Sequence, residues 1–155
     1  MIIRPFRDAD SKNLSILMTE MTDFYGASVA VGLDIERSII ANSKLVDIVL
    51  AEQETKLLGF ATFGTMYPVA GLVPLTYVQQ IYVSESGHRL GVARRLMQQI
   101  AKTSLERGIY RVEWSTSQEN LAAQALYNGL GAVSENKVHF VLKGSRLQAL
   151  VDASD

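Results

Sequence analysis

The sequence has no cysteine and only two histidines among its 155 residues. The missing thiols exclude disulfides, thiolate nucleophiles and cysteine metal sites. His88 and His139 are too few for a histidine-rich metal centre. The chain also lacks a run of about 18 apolar residues, and its N-terminus, MIIRPFRDAD, lacks the apolar core of a signal peptide. We therefore expect a cytoplasmic protein that binds no metal and no membrane.

A strong charge of either sign is lacking as well. The 15 lysines and arginines nearly balance the 16 aspartates and glutamates, which leaves a net charge of −1. A sequence-independent nucleic-acid binder normally carries a basic face, so no nucleic-acid partner is expected. A chain of this length can bury a core of its own, and no linker, repeat or low-complexity segment interrupts it. We predict a single domain over residues 1–155.

The stretch over residues 77–108 changes its apolar spacing once. Its first part is rich in the β-branched and aromatic residues that suit a buried strand and ends with Ile81, Tyr82 and Val83. A short loop with two glycines follows. Beyond the loop the apolar residues recur with the spacing of a helix, which Gly108 ends. The apolar positions form two rows, Val92, Leu96 and Ile100 beside Ala93, Met97 and Ala101.

The loop before this helix is suited to an anion. A glycine-containing turn that enters a helix leaves several backbone N–H groups without partners, all pointing the same way. The positive end of the helix dipole lies behind them, so the arrangement attracts phosphate oxygens. Arg89, Arg94 and Arg95 add positive charge where a polyphosphate would lie. The stretch therefore predicts a phosphate-binding turn between a strand and a helix.

The segment after the strand resembles the acetyl-coenzyme A signature of the GNAT superfamily of N-acetyltransferases. That signature reads Gln/Arg-x-x-Gly-x-Gly/Ala and follows a strand that ends in valine five residues upstream. Val83 stands at that distance, and the fourth and sixth positions match. The first position departs, because it is His88; since backbone donors do the main work of the loop, we still expect pyrophosphate binding. The matching segment is His88-Arg89-Leu90-Gly91-Val92-Ala93.

A second segment resembles the other signature of that family, Asn-x-x-Ala-x-x-(Leu/Phe)-Tyr-x-x-x-Gly-(Phe/Ala). Asn120 opens a predicted helix, where its side chain either caps the helix or bonds an amide of pantetheine; both roles stay open. Tyr127 lies two turns along the same face. Gly131 is predicted to cap the end of the helix. Every specified position matches: Asn120, Ala123, Leu126, Tyr127, Gly131 and Ala132.

The resemblance implies an N-acetyltransferase that uses acetyl-coenzyme A as cosubstrate and no metal. It implies direct attack of a primary amine on the thioester within a ternary complex. In the family the tyrosine at the position of Tyr127 protonates the departing thiolate, and backbone groups of the strand bind pantetheine and polarise the carbonyl. The implied coenzyme-binding residues are Ile81, Tyr82, Val83, His88, Arg89, Leu90, Gly91, Val92, Ala93, Arg94 and Asn120.

The order of predicted elements indicates an α/β fold. We expect a mixed, mostly antiparallel central sheet of about six to seven strands with helices on both faces, the GNAT-type acyltransferase fold. Asp8 or Asp10 is expected to cap the first helix, and residues 66–74, with two prolines, to form a loop. Strands are predicted at residues 1–6, 46–51, 57–65, 75–83, 109–115 and 138–142, and helices at 14–21, 34–41, 92–107, 117–130 and 147–151.

The acceptor amine is left open by the sequence. Residues 111–114, the Gly131-Ala132 ending and the tail at 143–147 resemble the diamine (spermidine- and spermine-type) acetyltransferases, but those relatives carry Glu-Asp where this chain has Gln79-Gln80. An amide cannot take a proton at neutral pH. Either a carboxylate acts as base through water, or the acceptor is not a polyamine. The carboxylates considered are Asp23, Glu85 and Glu113, with His139 as a less favoured base.

Three hypotheses about function follow. The favoured one is acetylation of a small primary amine, such as a diamine or an amino-acid derivative. The alternatives are acetylation of a protein N-terminus or lysine, and a non-catalytic acyl-coenzyme A sensor. Phe24 and Tyr25 either pack or form a wall that faces the substrate. The family resemblance also suggests a homodimer, with Val138, Phe140 and Leu142 as pairing positions.

Overall fold

The computed structural model describes residues 1–153. By their internal contacts they divide into two compact units, Met1–Leu121 and Ala122–Asp155. None of the helices in the described range is long and apolar enough to cross a membrane. The strands are β1 (Ile2–Pro5), β2 (Asp47–Gln53), β3 (Lys56–Val69), β4 (Val73–Val83) and β5 (Val112–Glu113), and the helices are α1 (Ser11–Phe24), α2 (Ile35–Asn42), α3 (Val92–Glu106), α4 (Leu121–Gly129) and α5 (Ser145–Asp152).

The five strands form one sheet in the order β1-β2-β3-β4-β5. The first three pairings are antiparallel, and β4 and β5 pair in parallel. The predicted mixed, mostly antiparallel sheet is therefore confirmed, with five strands rather than six to seven. Residues 138–142, predicted as a last strand, form none in the described chain. A strand requires a hydrogen-bonded neighbour, and the apolar alternation of Val138, Phe140 and Leu142 does not by itself supply one.

Helices cover both faces of the sheet, as predicted. Four consecutive residues of β2 are buried, which requires packing on both faces. Ile48 and Leu50 belong to a core cluster with Leu14 and Leu17 of α1 and Ile39 of α2. The alternate face carries α3, which contacts β2, β3 and β4. Four residues of the predicted rows are buried, Val92, Leu96, Met97 and Ile100, together with Ser104. Of the other two row residues, Ala93 is half-buried and Ala101 is exposed, so the buried face is narrower than predicted.

The predicted loop at residues 66–74 is instead the end of a long hairpin. Strand β3 continues to Val69 and β4 begins at Val73. The ladder passes from the pair Met66–Leu75 to the pair Val69–Val73, so the chain between them departs from regular pairing. Pro68 lies in that irregular part, beyond Phe63, the last β3 residue paired with β2. Proline is tolerated at such unpaired edges, so Pro68 does not end β3 here.

Asp10 does not cap α1, contrary to the prediction. Its carboxylate accepts hydrogen bonds of 2.7 and 2.8 Å from the guanidinium of Arg4 and one of 2.8 Å from the N–H of Arg7. Arg4 also contacts the carboxylate of Glu52 on β2. The hydrogen bonds from Arg4 are the main cause that lowers the pKa of Asp10. The carboxylate thus ties the turn before α1 to the edge of the sheet.

A pH dependence of stability follows from this ion pair. Because the folded protein lowers the pKa of Asp10, the ionised pair stabilises the fold above the unfolded pKa of about 3.9 and loses that effect as pH falls. We expect Asp10→Asn to destabilise the protein by about 1–2 kcal/mol at pH 7. The difference from wild type should shrink below about pH 4 in urea unfolding at several pH values. A difference that stays constant down to pH 2 would contradict the argument.

Two buried hydroxyl groups join α3 to β4. Thr76 and Ser104 are almost fully buried, and their hydroxyl oxygens lie 2.7 Å apart. The Ser104 hydroxyl donates to the carbonyl of Ile100 at 2.9 Å, so the Thr76 hydroxyl is the donor of the pair. Removing Ser104 Oγ therefore leaves a buried donor unsatisfied, whereas removing Thr76 Oγ1 leaves Ser104 with its bond to Ile100.

The two substitutions should accordingly differ in cost. We expect Ser104→Ala to lower the free energy of unfolding by about 2 kcal/mol and Thr76→Val by about 1 kcal/mol or less. The double variant should lose less than the sum of the two, because it leaves no orphaned donor. Chemical denaturation of the four proteins tests this. Equal costs for the two single variants would show that the donor assignment is wrong.

Candidate active site

A β-bulge in β4 separates the two halves of that strand. Thr62 of β3 pairs with Gln80, and the next residue, Phe63, pairs with Val78, so Gln79 is an extra residue on β4. Before the bulge, β4 pairs with β5 at Thr76 and Tyr77, and the N–H of Thr76 donates to the carbonyl of Arg111 at 2.8 Å. An extra residue reverses which peptide groups face which neighbour. In the half of β4 before Gln79 the even-numbered residues point their peptide groups away from β3, and in the half after it the odd-numbered residues do.

After the bulge, the peptide groups of Ile81 and Val83 point away from β3. The N–H of Ser84 donates to the carbonyl of Leu58 at 2.9 Å, on the β3 side. Since alternate residues of an antiparallel strand face opposite sides, Tyr82 also faces β3 and Ile81 and Val83 face the other way. Within Met1–Leu121, no strand pairs with β4 on that side beyond Tyr77. This half-strand offers backbone donors and acceptors at an open edge.

The open edge leads directly into the N-terminus of α3. The turn contains Arg89 and Gly91 with positive φ angles of 62° and 74°, a conformation that suits glycine better than other residues. A Cβ added at Gly91 would meet nothing within 4 Å. The first helical bond, from the N–H of Arg95 to the carbonyl of Gly91, spans 3.1 Å. The N–H groups of Val92 and Ala93 precede it and therefore have no intrahelical acceptor.

The other predicted loop residues take different positions. Leu90 is exposed and Val92 is buried, so Val92 offers its backbone rather than its side chain. The Arg95 guanidinium donates to the carbonyl of Met1 at 2.9 Å, which directs it toward β1 and away from the turn. Arg94 and Arg89 follow the prediction in lying at the start of α3 and in the turn before it. The His88 ring lies 3.2 Å from the carbonyl of Val83.

Tyr82 connects the edge with the first helix. Its ring centroid lies 6.2 Å from that of Phe60 and 6.3 Å from that of Phe24, and Phe24 meets Tyr25 edge-on at 5.2 Å. Burial is the main cause that raises the pKa of the Tyr82 phenol. Nearby groups that ionise to anions raise it further: Glu20, Tyr25, Asp23 and Glu85. An aromatic wall thus lies on the α1 face of β4, with carboxylates around it. It consists of Phe24, Tyr25, Phe60 and Tyr82.

Glu20 is the residue of this wall that sequence reasoning missed. The sequence did contain a signal, because Glu20, Asp23 and Phe24 are three and four residues apart and share a face of α1. Asp23 and Glu85 were predicted candidates, and both act on Tyr82. Glu113 instead pairs with Arg111 at 2.5 Å. Two of the three candidate carboxylates therefore raise the pKa of Tyr82.

The second signature segment forms α4 and its C-terminal cap. Asn120 directly precedes α4, and Tyr127 lies in its last turn. Gly131 has a φ angle of 85°. The N–H of Gly131 donates to Asn128 at 2.9 Å and that of Ala132 to Tyr127 at 3.1 Å, which is the pair of bonds in a Schellman motif. The predicted cap at Gly131 is confirmed, and it fixes the turn that carries Tyr127.

Residues 16–132 match the profile of the Acetyltransferase (GNAT) family. The chain belongs to this family. The match covers both signatures, most of the first unit and the beginning of the second, and it confirms the assignment made from the two motifs. The helices, the bulged strand and the turn before α3 described above are thus those of a GNAT acetyltransferase domain.

One relative is similar to this chain in sequence and another in fold. The chain is 30% identical over 118 residues to the L-ornithine N5-acetyltransferase of Arabidopsis thaliana, a match that covers 76% of this chain and 49% of that protein. This chain thus spans about half the length of that relative. A solved integron cassette protein from the mobile metagenome of V. cholerae shares the fold with a TM-score of 0.81 at 23% identity, over 98% of both chains.

A further solved structure is an aminoglycoside N-acetyltransferase in complex with CoA. It shares the fold with a TM-score of 0.72 at 20% identity, over 92% of this chain and 99% of that one.

Proposed function

We propose that this protein is an acetyl-coenzyme A-dependent N-acetyltransferase that acts on a small primary amine. The observation that supports it most is the bulge at Gln79, which turns the peptide groups of Ile81 and Val83 to an open edge ending at the α3 turn. An extended chain that carries amides can pair with such an edge, and its phosphates can reach the helix N-terminus. Family membership and a fold neighbour solved with CoA support the same ligand.

The residues present fit each part of that cosubstrate. The edge groups of Ile81 and Val83 would hold the pantetheine arm, and the N–H groups of Val92 and Ala93 would hold phosphate oxygens, with Gly91 leaving open space beside them. When bound, the cosubstrate supplies a thioester whose carbonyl carbon accepts the amine. The C–N bond forms as the C–S bond breaks, and the proton that the amine loses passes to a base while the thiolate takes one from Tyr127.

Tyr82 contributes to this site through its side chain. Its own peptide groups face β3. Of the predicted residues 81–83, only Ile81 and Val83 are therefore proposed to pair their backbone with the cosubstrate. An N–H of this edge would polarise the thioester carbonyl. The roles proposed for Asn120 and Tyr127 rest on the second signature alone. The proposed single domain of residues 1–155 includes both segments.

A small amine with a cationic group is the acceptor that the aromatic wall favours. Carboxylates and aromatic faces both attract ammonium groups. Glu20 and Asp23 are among the groups whose charge raises the pKa of Tyr82, and the Tyr82 ring lies 6.3 Å from that of Phe24. The ornithine acetyltransferase among the relatives acts on such an amine by its name. Asp23 or Glu85 would supply the base that Gln79 and Gln80 cannot. Protein acceptors and a sensor function are the alternatives that the assay below separates.

The test is release of free coenzyme A from acetyl-coenzyme A in the presence of a panel of amines. Diamines, ornithine and lysine form one arm, and peptides with a free N-terminus form the other. Turnover on small amines supports the proposal. Coenzyme A binding without turnover on either arm would indicate a sensor, and turnover on peptides alone would move the acceptor to proteins.

The family resemblance also leads us to propose a cytoplasmic homodimer. Val138, Phe140 and Leu142 are the residues proposed for the pairing. Light scattering coupled to size-exclusion chromatography measures the assembly directly, and a monomer at micromolar concentration would overturn the dimer.

A further inference from the structure

The His88 ring is a side chain of the turn that contacts the open edge of β4. Its Nε2 lies 3.2 Å from the carbonyl oxygen of Val83. A carbonyl can only accept, so the ring donates from Nε2. That carbonyl points away from β3, because the next peptide N–H, that of Ser84, points toward β3. His88 therefore donates a hydrogen bond to the last peptide of the half-strand, on the side that faces the proposed ligand.

The short segment between Val83 and His88 is held at several further points. Ser84 bonds the carbonyl of Leu58 through its N–H at 2.9 Å and through its hydroxyl at 3.1 Å. The N–H of Gly87 donates to Ser84 and that of His88 to Glu85. A Cβ at Gly87 would come within 2.8 Å of the carbonyl of Leu58. These contacts fix the segment on β3, and the His88 ring fixes it on the open edge.

We infer that His88 is a positioning residue that sets the β4 edge and the α3 turn at the distance that coenzyme A requires. The inference rests on the proposed function, since it concerns the same ligand. The N–H and the carbonyl of Val83 flank one Cα, so a ring that holds the carbonyl also restrains the N–H that the pantetheine arm would use. Arg89 and Gly91 follow directly, so the same ring anchors the turn that would receive the phosphates.

This role differs from a direct contact of His88 with phosphate. A phosphate ligand would strengthen binding of the diphosphate part alone. It would also act mainly when the imidazole is charged. A positioning residue leaves the affinity for each separate part of coenzyme A unchanged. It strengthens the binding only of the whole molecule, which spans both the β4 edge and the α3 turn. It acts in the neutral ring as well, because the Nε2–H tautomer donates without a positive charge.

The experiment compares wild type with His88→Ala and His88→Gln by titration with coenzyme A, with ADP and with pantetheine. We expect His88→Ala to weaken coenzyme A binding about three- to tenfold, the worth of one hydrogen bond, and to leave ADP and pantetheine within about twofold. Glutamine carries an amide donor of similar reach, so His88→Gln should restore most of the affinity. The difference should persist at pH 8, and KM for acetyl-coenzyme A should rise while kcat stays.

Each other outcome has a definite meaning. An equal loss for ADP and coenzyme A, confined to low pH, would overturn the inference in favour of a phosphate ligand. Unchanged coenzyme A affinity in His88→Ala would overturn it while leaving the proposed function intact. Wild type that binds no coenzyme A would overturn both. Nitrogen NMR of the His88 ring in the ligand-free protein tests the contact by itself, because a ring without the Nε2–H tautomer at pH 8 cannot make it.

Discussion

Tyr127→Phe is expected to lower kcat for amine acetylation about a hundredfold, the contribution typical of a positioned general acid. A departing thiolate without a proton donor is a poorer leaving group, and phenylalanine keeps the ring while removing the hydroxyl. The variant keeps the backbone carbonyl of Tyr127 that the cap of α4 uses. Coenzyme A affinity should stay within about twofold of wild type. Steady-state kinetics and calorimetric titration together separate these two effects.

Tyr110→Phe is the matched control for this substitution. Tyr110 is 85% exposed within the first unit and belongs to neither signature, so the loss of its hydroxyl should leave kcat unchanged. If Tyr127→Phe were equally active, the thiolate would leave without help from this tyrosine. The proposed role of Tyr127 would then fall, whereas the assignment to the family would stand.

Gly59→Ala is expected to lower the free energy of unfolding by about 3 kcal/mol and the melting temperature by about 10 °C. A Cβ at this position would stand 2.5 Å from the carbonyl oxygen of Tyr82, 3.1 Å from Cγ1 of Val92 and 3.2 Å from Cα of Val83. The first neighbour is backbone and cannot move away without shifting β4 against β3. The peptide that carries this carbonyl also carries the N–H of Val83. We therefore also expect about fivefold weaker coenzyme A binding.

Gly64→Ala controls for the general effect of a methyl group in β3. Gly64 lies in the same strand, and a Cβ there would meet nothing within 4 Å. Its melting temperature and coenzyme A affinity should match those of wild type. Thermal unfolding and titration of the two variants give the comparison. Equal behaviour of Gly59→Ala and Gly64→Ala would mean that the close approach to Tyr82 places no demand on the fold.

Elements with regular spacing were predicted well from the sequence. The helical spacing from Val92 onward gave α3, which the structure ends at Glu106, and Gly108 follows as predicted. The helix predicted at residues 34–41 is α2, and Asp34, predicted as its first residue, instead caps it by accepting from the N–H of Arg37 at 3.0 Å. These outcomes depend on residues a few positions apart, whose preferences are local. Asp10 does not cap α1 for the opposite reason. Its carboxylate pairs instead with the charged side chain of Arg4 on β1.

The details of the candidate site depended on contacts between distant segments. The bulge at Gln79 is invisible in the composition of β4, since it arises from the pairing of Gln80 with Thr62 and of Val78 with Phe63. The contact between His88 and Val83 likewise requires the turn to fold back on the strand. The signatures identified which residues belong to the candidate site. The direction in which their peptide groups point became known only from the pairing of β4 with β3. The strand predicted at 138–142 was wrong because apolar alternation does not provide a neighbour.

The single extra residue at Gln79 has a consequence for how such a chain can vary. The groups that face the open edge belong to the backbone, so most side chains at Ile81 and Val83 present the same donors and acceptors. Exchanging residues is therefore tolerated as long as the pairing with β3 is kept. Deleting Gln79 would remove the bulge but keep Val78 opposite Phe63 and Gln80 opposite Thr62, so the peptide groups of Ile81 and Val83 would still face the edge. Libraries that diversify this half of the strand should therefore preserve its register with β3 rather than a particular side chain at these two positions.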